Sequence, residues 1–141
     1  MLFGRHPRPY RSLLCYLFFY SAFIISQAAM GAVPDSVAAI AGTYAGRAYN
    51  GNTLDPVITV FSFDSEGRFS GSYRIEDEQG SFEGRLSGLF QEGDRRFSME
   101  WTDRDGEGFL YIEFTPDYSG FDGVWTNTNG DSQLPWNGRR Q

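Results

Sequence analysis

From Gly42 onward, apolar and polar residues alternate with a period of two. In one such segment Phe69, Gly71, Tyr73 and Ile75 alternate with two serines and an arginine. A period of two places successive side chains on opposite faces of a strand, so one face covers a core while the other meets water. The sequence therefore predicts an all-β domain made of antiparallel strands.

Turn-forming residues divide this alternating region into short segments. Gly, Asp, Asn, Pro and Ser cluster between the segments, as they do in hairpin turns. We predict eight strands, near residues 42–49, 56–64, 68–75, 81–90, 95–103, 107–115, 120–127 and 133–139. The lead-in before them is predicted to include a helical turn, and no segment between turns is long or periodic enough for a core helix.

A short repeat of aromatic residue, glycine and large residue, each separated by one position, indicates how the strands are arranged. Its copies are Phe69-Ser-Gly-Ser-Tyr73, Phe82-Glu-Gly-Arg-Leu86, Phe121-Asp-Gly-Val-Trp125 and a weaker Tyr44-Ala-Gly-Arg-Ala48. Glycine on an inner face relieves crowding where a sheet coils tightly, and neighbouring aromatic rings fill the space. Because only closure removes sheet edges, we predict an eight-stranded antiparallel up-and-down barrel, with an open sandwich as the alternative.

The N-terminal segment has the order of a secretory signal peptide. Arg5, Arg8 and Arg11 precede an apolar run at 13–25, and small and polar residues follow it up to Ala28. This order predicts cleavage after Ala28 and a periplasmic or secreted protein with no membrane attachment afterwards. An uncleaved membrane anchor is the alternative. The predicted organisation is a signal peptide at 1–28, a lead-in segment at 29–41 and a barrel domain at 42–141.

Three absences restrict the chemistry of the predicted mature chain. It contains no His or Cys, since His6 and Cys15 both belong to the leader, and no Lys, since the sequence has none. This excludes a Ser-His-Asp or Cys-His pair, a disulfide framework, a conventional zinc site and a lysine Schiff base. We therefore predict no catalytic residue, no metal and no cofactor, and favour binding over catalysis.

The charge of the predicted mature chain is strongly negative. Three of the 12 basic residues lie in the leader and all 18 acidic residues lie after it, which leaves nine arginines and a net charge of −9. A chain this acidic is repelled by phosphate backbones, so nucleic acid is not an expected partner.

Acidic turns at 103–108 and 127–131 have oxygen ligands at alternate positions, but Phe114 stands where a calcium loop starting at Asp103 needs its last carboxylate. We interpret both as hairpin turns.

The order of the strand motifs resembles the avidin and streptavidin family of eight-stranded barrels. Gly42-Thr-Tyr44 is similar to the opening Gly-Thr-Trp of that family, and Phe69-Ser-Gly-Ser-Tyr73 is similar to its third-strand Gly-Thr-Tyr. Phe97-Ser-Met-Glu-Trp101 resembles the segment that ends in a ligand-facing tryptophan, and Trp125 and Trp136 resemble the two late tryptophans. The resemblance implies that Tyr73 donates its hydroxyl to a ligand oxygen, while Trp101 and Trp125 wall an apolar pocket.

Two positions depart from that family, and a second resemblance exists. Ala45 replaces the asparagine after the opening motif, and Ile75 replaces the small hydroxyl residue after the third-strand tyrosine, so positions that grip the ureido group of biotin are not matched. Lipocalins share a Gly-x-Trp opening and a late arginine beneath the barrel. Tyr44 with Arg139 or Arg140 is similar to that arrangement.

The predicted function is the binding of a small apolar or planar molecule inside an aromatic-lined barrel. Buried Tyr and Trp combine a large apolar ring with a polar group that needs a partner, as ligand sites do. The predicted ligand-binding residues are Tyr44, Tyr73, Trp101, Tyr111 and Trp125. The competing interpretation is that these side chains simply fill the core, since an eight-stranded barrel is just wide enough for that.

Two other function classes stay open on the sequence alone. The first is a protein-binding module, such as an inhibitor of an exported enzyme. It would use acidic loops and the segment from Phe109 to Phe114, which is apolar on both faces and also suits a homo-oligomer contact. The second is a small barrel cyclase or isomerase that guides a substrate with a carboxylate or a tyrosine.

Overall fold

The computed structural model describes residues 35–66, 68–88, 95–130 and 132–141, so the predicted signal peptide lies outside the described residues. The described chain contains one short helix followed by eight strands. The helix, α1, spans Asp35–Ile40, and the strands are β1 (Gly42–Asn50), β2 (Thr53–Phe63), β3 (Phe69–Asp77), β4 (Gly80–Gly88), β5 (Arg96–Asp103), β6 (Gly106–Phe114), β7 (Gly120–Asn127) and β8 (Leu134–Arg140). None of the described helical residues forms a span long and apolar enough to cross a membrane.

Every strand pairs antiparallel with its neighbours in sequence, and β1 pairs with β8 to close the barrel. The closing ladder runs from Tyr44 opposite Arg140 to Ala48 opposite Trp136. This confirms the predicted up-and-down barrel and rules out the open sandwich. The predicted helical turn before the barrel is also confirmed, by α1.

The largest boundary error lies at the start of β2. Strand β2 begins at Thr53 instead of the predicted residue 56, because a two-residue turn carries the β1–β2 ladder directly across from Asn50 to Thr53. Gly51 has a φ of 66° in that turn, a left-handed conformation that glycine adopts without steric cost. Pro56, the first residue of the predicted second strand, lies within the ladder opposite Arg47.

The alternation seen in the sequence sorts side chains between the barrel interior and its outside. In β5 the inward residues Phe97, Met99 and Trp101 are buried, and the residues between them are exposed. Strand β3 repeats the pattern with Phe69, Tyr73 and Ile75. The core is therefore the barrel interior, and the predicted inner faces of these two strands are confirmed.

Interior glycines lie directly opposite interior aromatic residues on the neighbouring strand. The register pairs Gly84 with Tyr73, Gly108 with Trp101 and Gly138 with Phe121. A β-carbon at Gly84 would lie 2.1 Å from the ring of Tyr73, and one at Gly138 would lie 2.6 Å from the ring of Phe121. Each ring thus occupies the volume that a side chain on its partner would need, which gives the aromatic-glycine repeat its physical meaning.

Candidate functional site: the open end of the barrel

The two ends of the barrel differ, and we name them by their contents. The closed end carries α1, the β6–β7 turn at 115–119 and the last residues of β8. The open end carries the turns at 51–52, 78–79 and 104–105 together with the β7–β8 connection. Because neighbouring strands are antiparallel, β1 and β5 run in the same direction. The first residues of β1 and the last residues of β5 therefore lie at opposite ends.

The closed end is filled by aromatic rings. Tyr44 packs edge-on against three phenylalanine rings at centroid distances of 5.4 Å to Phe61, 5.8 Å to Phe114 and 5.6 Å to Phe121. Phe69 lies 5.1 Å from Phe61 in the same cluster. All five side chains are fully buried, so this end is a packed core.

Arg140 seals the closed end over Tyr44. Its guanidinium carbon lies 4.9 Å from the centroid of the Tyr44 ring, and Nη2 donates to the Tyr44 hydroxyl at 2.6 Å. The same guanidinium donates to the backbone oxygens of Ala39 and, at 3.0 Å, Ala41. The Tyr44 hydroxyl in turn donates to the Ile40 oxygen at 2.9 Å. Of the two arginines that the sequence left open, Arg140 is the one that packs beneath the barrel.

The open end holds a cavity of about 50 Å³. All three tryptophans of the chain line it. The other lining residues are Tyr49, Asn50, Tyr73, Ile75, Phe82, Asp103 and Asp105. Trp101 and Trp125 meet edge to face with centroids 5.3 Å apart, and Tyr73 meets Trp136 in the same way at 4.7 Å. These two pairs of perpendicular rings form the aromatic wall of the cavity.

Hydrogen bonds inside the protein fix all three indole rings. Trp101 Nε1 donates to the Thr126 oxygen at 2.8 Å, and Trp125 Nε1 donates to the Tyr49 oxygen at 2.9 Å. Trp136 Nε1 donates to the hydroxyl of the buried Thr59 at 3.1 Å. Each indole N–H is thus engaged by the barrel wall, so the tryptophans offer the cavity ring surface rather than hydrogen-bond donors.

A short hydrogen bond joins Tyr73 to Asp103 at the cavity wall. The Tyr73 hydroxyl donates to Asp103 Oδ2 at 2.6 Å, and Asp103 Oδ1 accepts from the Asp105 backbone N–H at 2.8 Å. Burial, the hydrogen bond to Asp103 and its negative charge all raise the pKa of Tyr73 above the usual tyrosine range. Tyr73 therefore stays protonated, and its proton is directed at Asp103.

The rim of the open end carries Arg104 among several carboxylates. The Arg104 guanidinium carbon lies 4.2 Å from the centroid of the Phe82 ring. Its Nη2 lies 3.3 Å from Asp77 Oδ2 and its Nε lies 3.5 Å from Asp105 Oδ2. Within the described ranges, no group of three or more His, Cys, Asp or Glu side chains is arranged to hold a metal ion.

The structure brings three of the five predicted site residues together. Tyr73, Trp101 and Trp125 line the open-end cavity. Tyr44 belongs instead to the closed end, where Phe61 and its neighbours surround it. Tyr111 lies on the outer face of β6 and is 45% exposed, so it does not reach the interior.

The misplacement of Tyr111 has a physical origin in β6, which is apolar on both faces as predicted. Its inner residues are Leu110, Ile112 and Phe114, and its outer face exposes Phe109 and Tyr111, whose ring centroids are 6.4 Å apart. Alternation is weak in such a strand, so an aromatic residue there is easily assigned to the wrong side.

Sequence reasoning missed Asp103 and did not select Trp136 as a site residue. Asp103 was interpreted as a turn residue, yet the inward series Phe97, Met99 and Trp101 continues to it at the same spacing of two. The turn assignment was correct as well, since Asp103 accepts from the Asp105 N–H. Trp136 lies opposite the interior Gly123, the arrangement that the glycine repeat already indicated elsewhere.

No protein-family model matches the chain, and a search of curated proteins gives no significant match.

Proposed function

We propose that this protein is an exported binding protein that takes a small molecule, or one end of a larger one, into the open-end cavity. The observation that carries the proposal is the cavity of about 50 Å³ walled by Tyr73, Trp101, Trp125 and Trp136. Ligand sites combine apolar and aromatic walls with a few fixed polar groups, and barrel mouths are frequent places for them. Asp103 and Asp105 supply the fixed polar groups here.

The size of the cavity limits what enters it. Pockets for whole drug-sized ligands measure about 300–1,000 Å³, whereas about 50 Å³ holds only a few water molecules. The closed end offers no continuation, because Tyr44 and the phenylalanine rings around it are fully buried. The bound group is therefore compact, and the rest of a longer ligand stays at the rim.

The aromatic wall is organised before a ligand arrives. Each indole is held by its own hydrogen bond to the barrel, at 2.8 Å for Trp101, 2.9 Å for Trp125 and 3.1 Å for Trp136. Side chains that are already fixed lose little conformational freedom on binding, which favours affinity in a small site. The signal-peptide motif and the resemblance to the avidin and streptavidin family support the same reading.

We favour a binding function over an enzymatic one in which Tyr73 transfers a proton. A tyrosine acts as a general base only as a phenolate, and the raised pKa of Tyr73 disfavours that form. Its hydroxyl proton is also engaged by Asp103 at 2.6 Å. Both observations favour a structural and recognition role for this residue.

Intrinsic fluorescence tests the proposal directly, because all three tryptophans line the cavity. We expect compact organic fragments from a screening library to shift or quench the emission in a saturable manner. Trp125→Phe removes part of the wall and the hydrogen bond to Tyr49, so it should raise the dissociation constant about tenfold.

Tyr111→Ala is the matched control, since it removes an aromatic ring from the outer face of the same barrel. It should leave the dissociation constant unchanged. A library in which no compact fragment changes the emission would refute the proposed function. So would a Tyr111→Ala variant that weakens binding as much as Trp125→Phe does.

A further inference from the structure

Most hydrogen-bond donors that line the open-end cavity are already engaged within the protein. The three indole N–H groups donate to the barrel, and the Tyr73 hydroxyl donates to Asp103. The amide nitrogen of Asn50 lies 3.4 Å from Asp55 Oδ2 and donates to it. The charged groups that remain at the cavity wall are the carboxylates of Asp103 and Asp105. A ligand that brings its own donors therefore suits this lining.

Asp103 also lacks a counter-ion among the described residues. None of the ion pairs formed by those residues includes it. The cation next to it in sequence, Arg104, is held over the Phe82 ring and pairs with Asp77 and Asp105. A partly buried carboxylate beside apolar rings gains most from a positive charge at close range, because the surroundings screen the attraction less than water does.

We propose that the group bound in the open-end cavity is an organic ammonium ion, held by the Asp103 carboxylate and the aromatic walls. This rests on the proposed function and names its ligand class. Aromatic faces attract ammonium ions through their negative quadrupole, and tryptophan does so most strongly. Trp101, Trp125 and Trp136 supply three such rings around one cavity.

Two further features suit a cationic ligand. The rim itself contains a cation held on a ring, Arg104 over Phe82 at 4.2 Å. The chain carries a formal net charge of −6, which raises the local concentration of cations and speeds their encounter with the mouth. An anionic ligand would meet Asp103 and Asp105 without an N–H donor from any of the indoles.

Two probes of matched shape separate charge from size: tert-butylammonium chloride and tert-butanol, titrated into the full chain with tryptophan emission as the readout. We expect the ammonium ion to bind with a dissociation constant at least tenfold lower than that of the alcohol. Equal dissociation constants would overturn the ammonium inference while the proposed binding function stands. If neither probe nor any library fragment changes the emission, the binding function itself fails.

The variant Asp103→Asn tests the carboxylate at constant size. Its amide oxygen still accepts the Tyr73 hydroxyl, so the wall stays in place while the charge is removed. The preference for the ammonium ion over the alcohol should fall to less than about threefold, and the affinity for tert-butanol should not change. A preference that survives this substitution overturns the assignment of Asp103.

Asp117→Asn is the matched control, because Asp117 lies in the β6–β7 turn at the closed end and the same charge is lost from the chain. It should keep the full preference, and loss of the preference here would assign the effect to net charge instead of the site. If Asp103→Asn fails to fold, the more exposed Asp105→Asn takes its place, with a smaller decrease expected. No decrease in that variant would overturn the inference.

Discussion

The two ends of the barrel use the same alternating pattern with different aromatic residues. At the closed end, phenylalanines surround Tyr44, and the rings fill the interior completely. At the open end, the tryptophans and Tyr73 each turn a polar atom towards a fixed partner and leave a cavity of about 50 Å³ between their rings. At the closed end most of the rings have no polar atom and pack against one another around Tyr44, whereas at the open end the rings are tied to the wall by hydrogen bonds and line a space.

Hydrogen bonding also serves different purposes at the two ends. At the closed end, Arg140 ties the last strand to α1 and to Tyr44. At the open end, Trp101 ties β5 to β7, and Trp125 ties β7 to β1. The closed end thus attaches a chain segment to the barrel, while the open end cross-links strands around a mouth.

If the closed end is the main source of stability, Phe114→Ala should be the most damaging substitution. Phe114 is fully buried and contacts several aromatic rings, among them Tyr44, Phe61, Phe97 and Phe121. We expect the free energy of unfolding to fall by about 3–5 kcal/mol, measured by denaturant titration. Trp125→Phe at the open end should lower the free energy of unfolding by less than half as much. An equal decrease would mean that the open end contributes as much to stability as the closed end.

Gly84→Ala tests whether the open-end wall depends on its glycine partner. The added β-carbon would lie 2.1 Å from the Tyr73 ring, so the ring must move, and we expect its hydrogen bond to Asp103 to weaken. We expect a loss of about 1–3 kcal/mol in unfolding free energy, together with weaker binding of the fluorescence probes. Ser81→Ala on the outer, exposed face of the same strand is the control and should change neither quantity.

The loss of folding stability at alkaline pH allows the two buried tyrosines to be compared. Their effect on stability is smallest at neutral pH. Folding raises the pKa of both Tyr44 and Tyr73 above the usual value of about 10, chiefly through burial. The protonated folded state is therefore fully stabilised below pH 10, and stability falls as the pH rises above it because the unfolded tyrosines ionise first.

Neighbouring charges distinguish those tyrosines. Asp103 adds to the effect of burial at Tyr73, whereas the Arg140 guanidinium opposes it at Tyr44. Tyr73→Phe should therefore flatten the alkaline loss of stability more than Tyr44→Phe does, as measured by unfolding at pH 9 to 11. The opposite ranking would show that Asp103 does not act on Tyr73 in solution.

Much of this architecture could be predicted because it depends on local patterns. Alternation in β3 and β5 identified Phe69, Tyr73, Phe97 and Trp101 as interior residues, and turn chemistry placed the strand ends. The depth of each residue along the barrel could not be predicted in the same way, since it depends on the stagger between strands. For that reason Tyr44 was grouped with the open-end residues although it lies at the closed end.

The parts of the site that sequence reasoning missed have two separate causes. Asp103 acts both in a turn and on an inner face, and the turn explanation alone accounts for its residue type. Tyr111 lies in a strand with two apolar faces, where neither face is marked as inner by polar neighbours alone. Pairing information, such as Gly108 opposite Trp101, is what separates interior positions in such regions.

The aromatic-glycine pairs also shape how such a barrel can diverge over generations. A larger side chain at Gly84 would collide with the Tyr73 ring, and a smaller side chain at Tyr73 would leave a void. Either substitution alone therefore destabilises the fold. The two positions are therefore expected to change together. Exchanging the small and the large residue between them is tolerated far better than either substitution alone. In an alignment of descendants, paired changes across neighbouring strands would trace the barrel register more reliably than the identity of either residue.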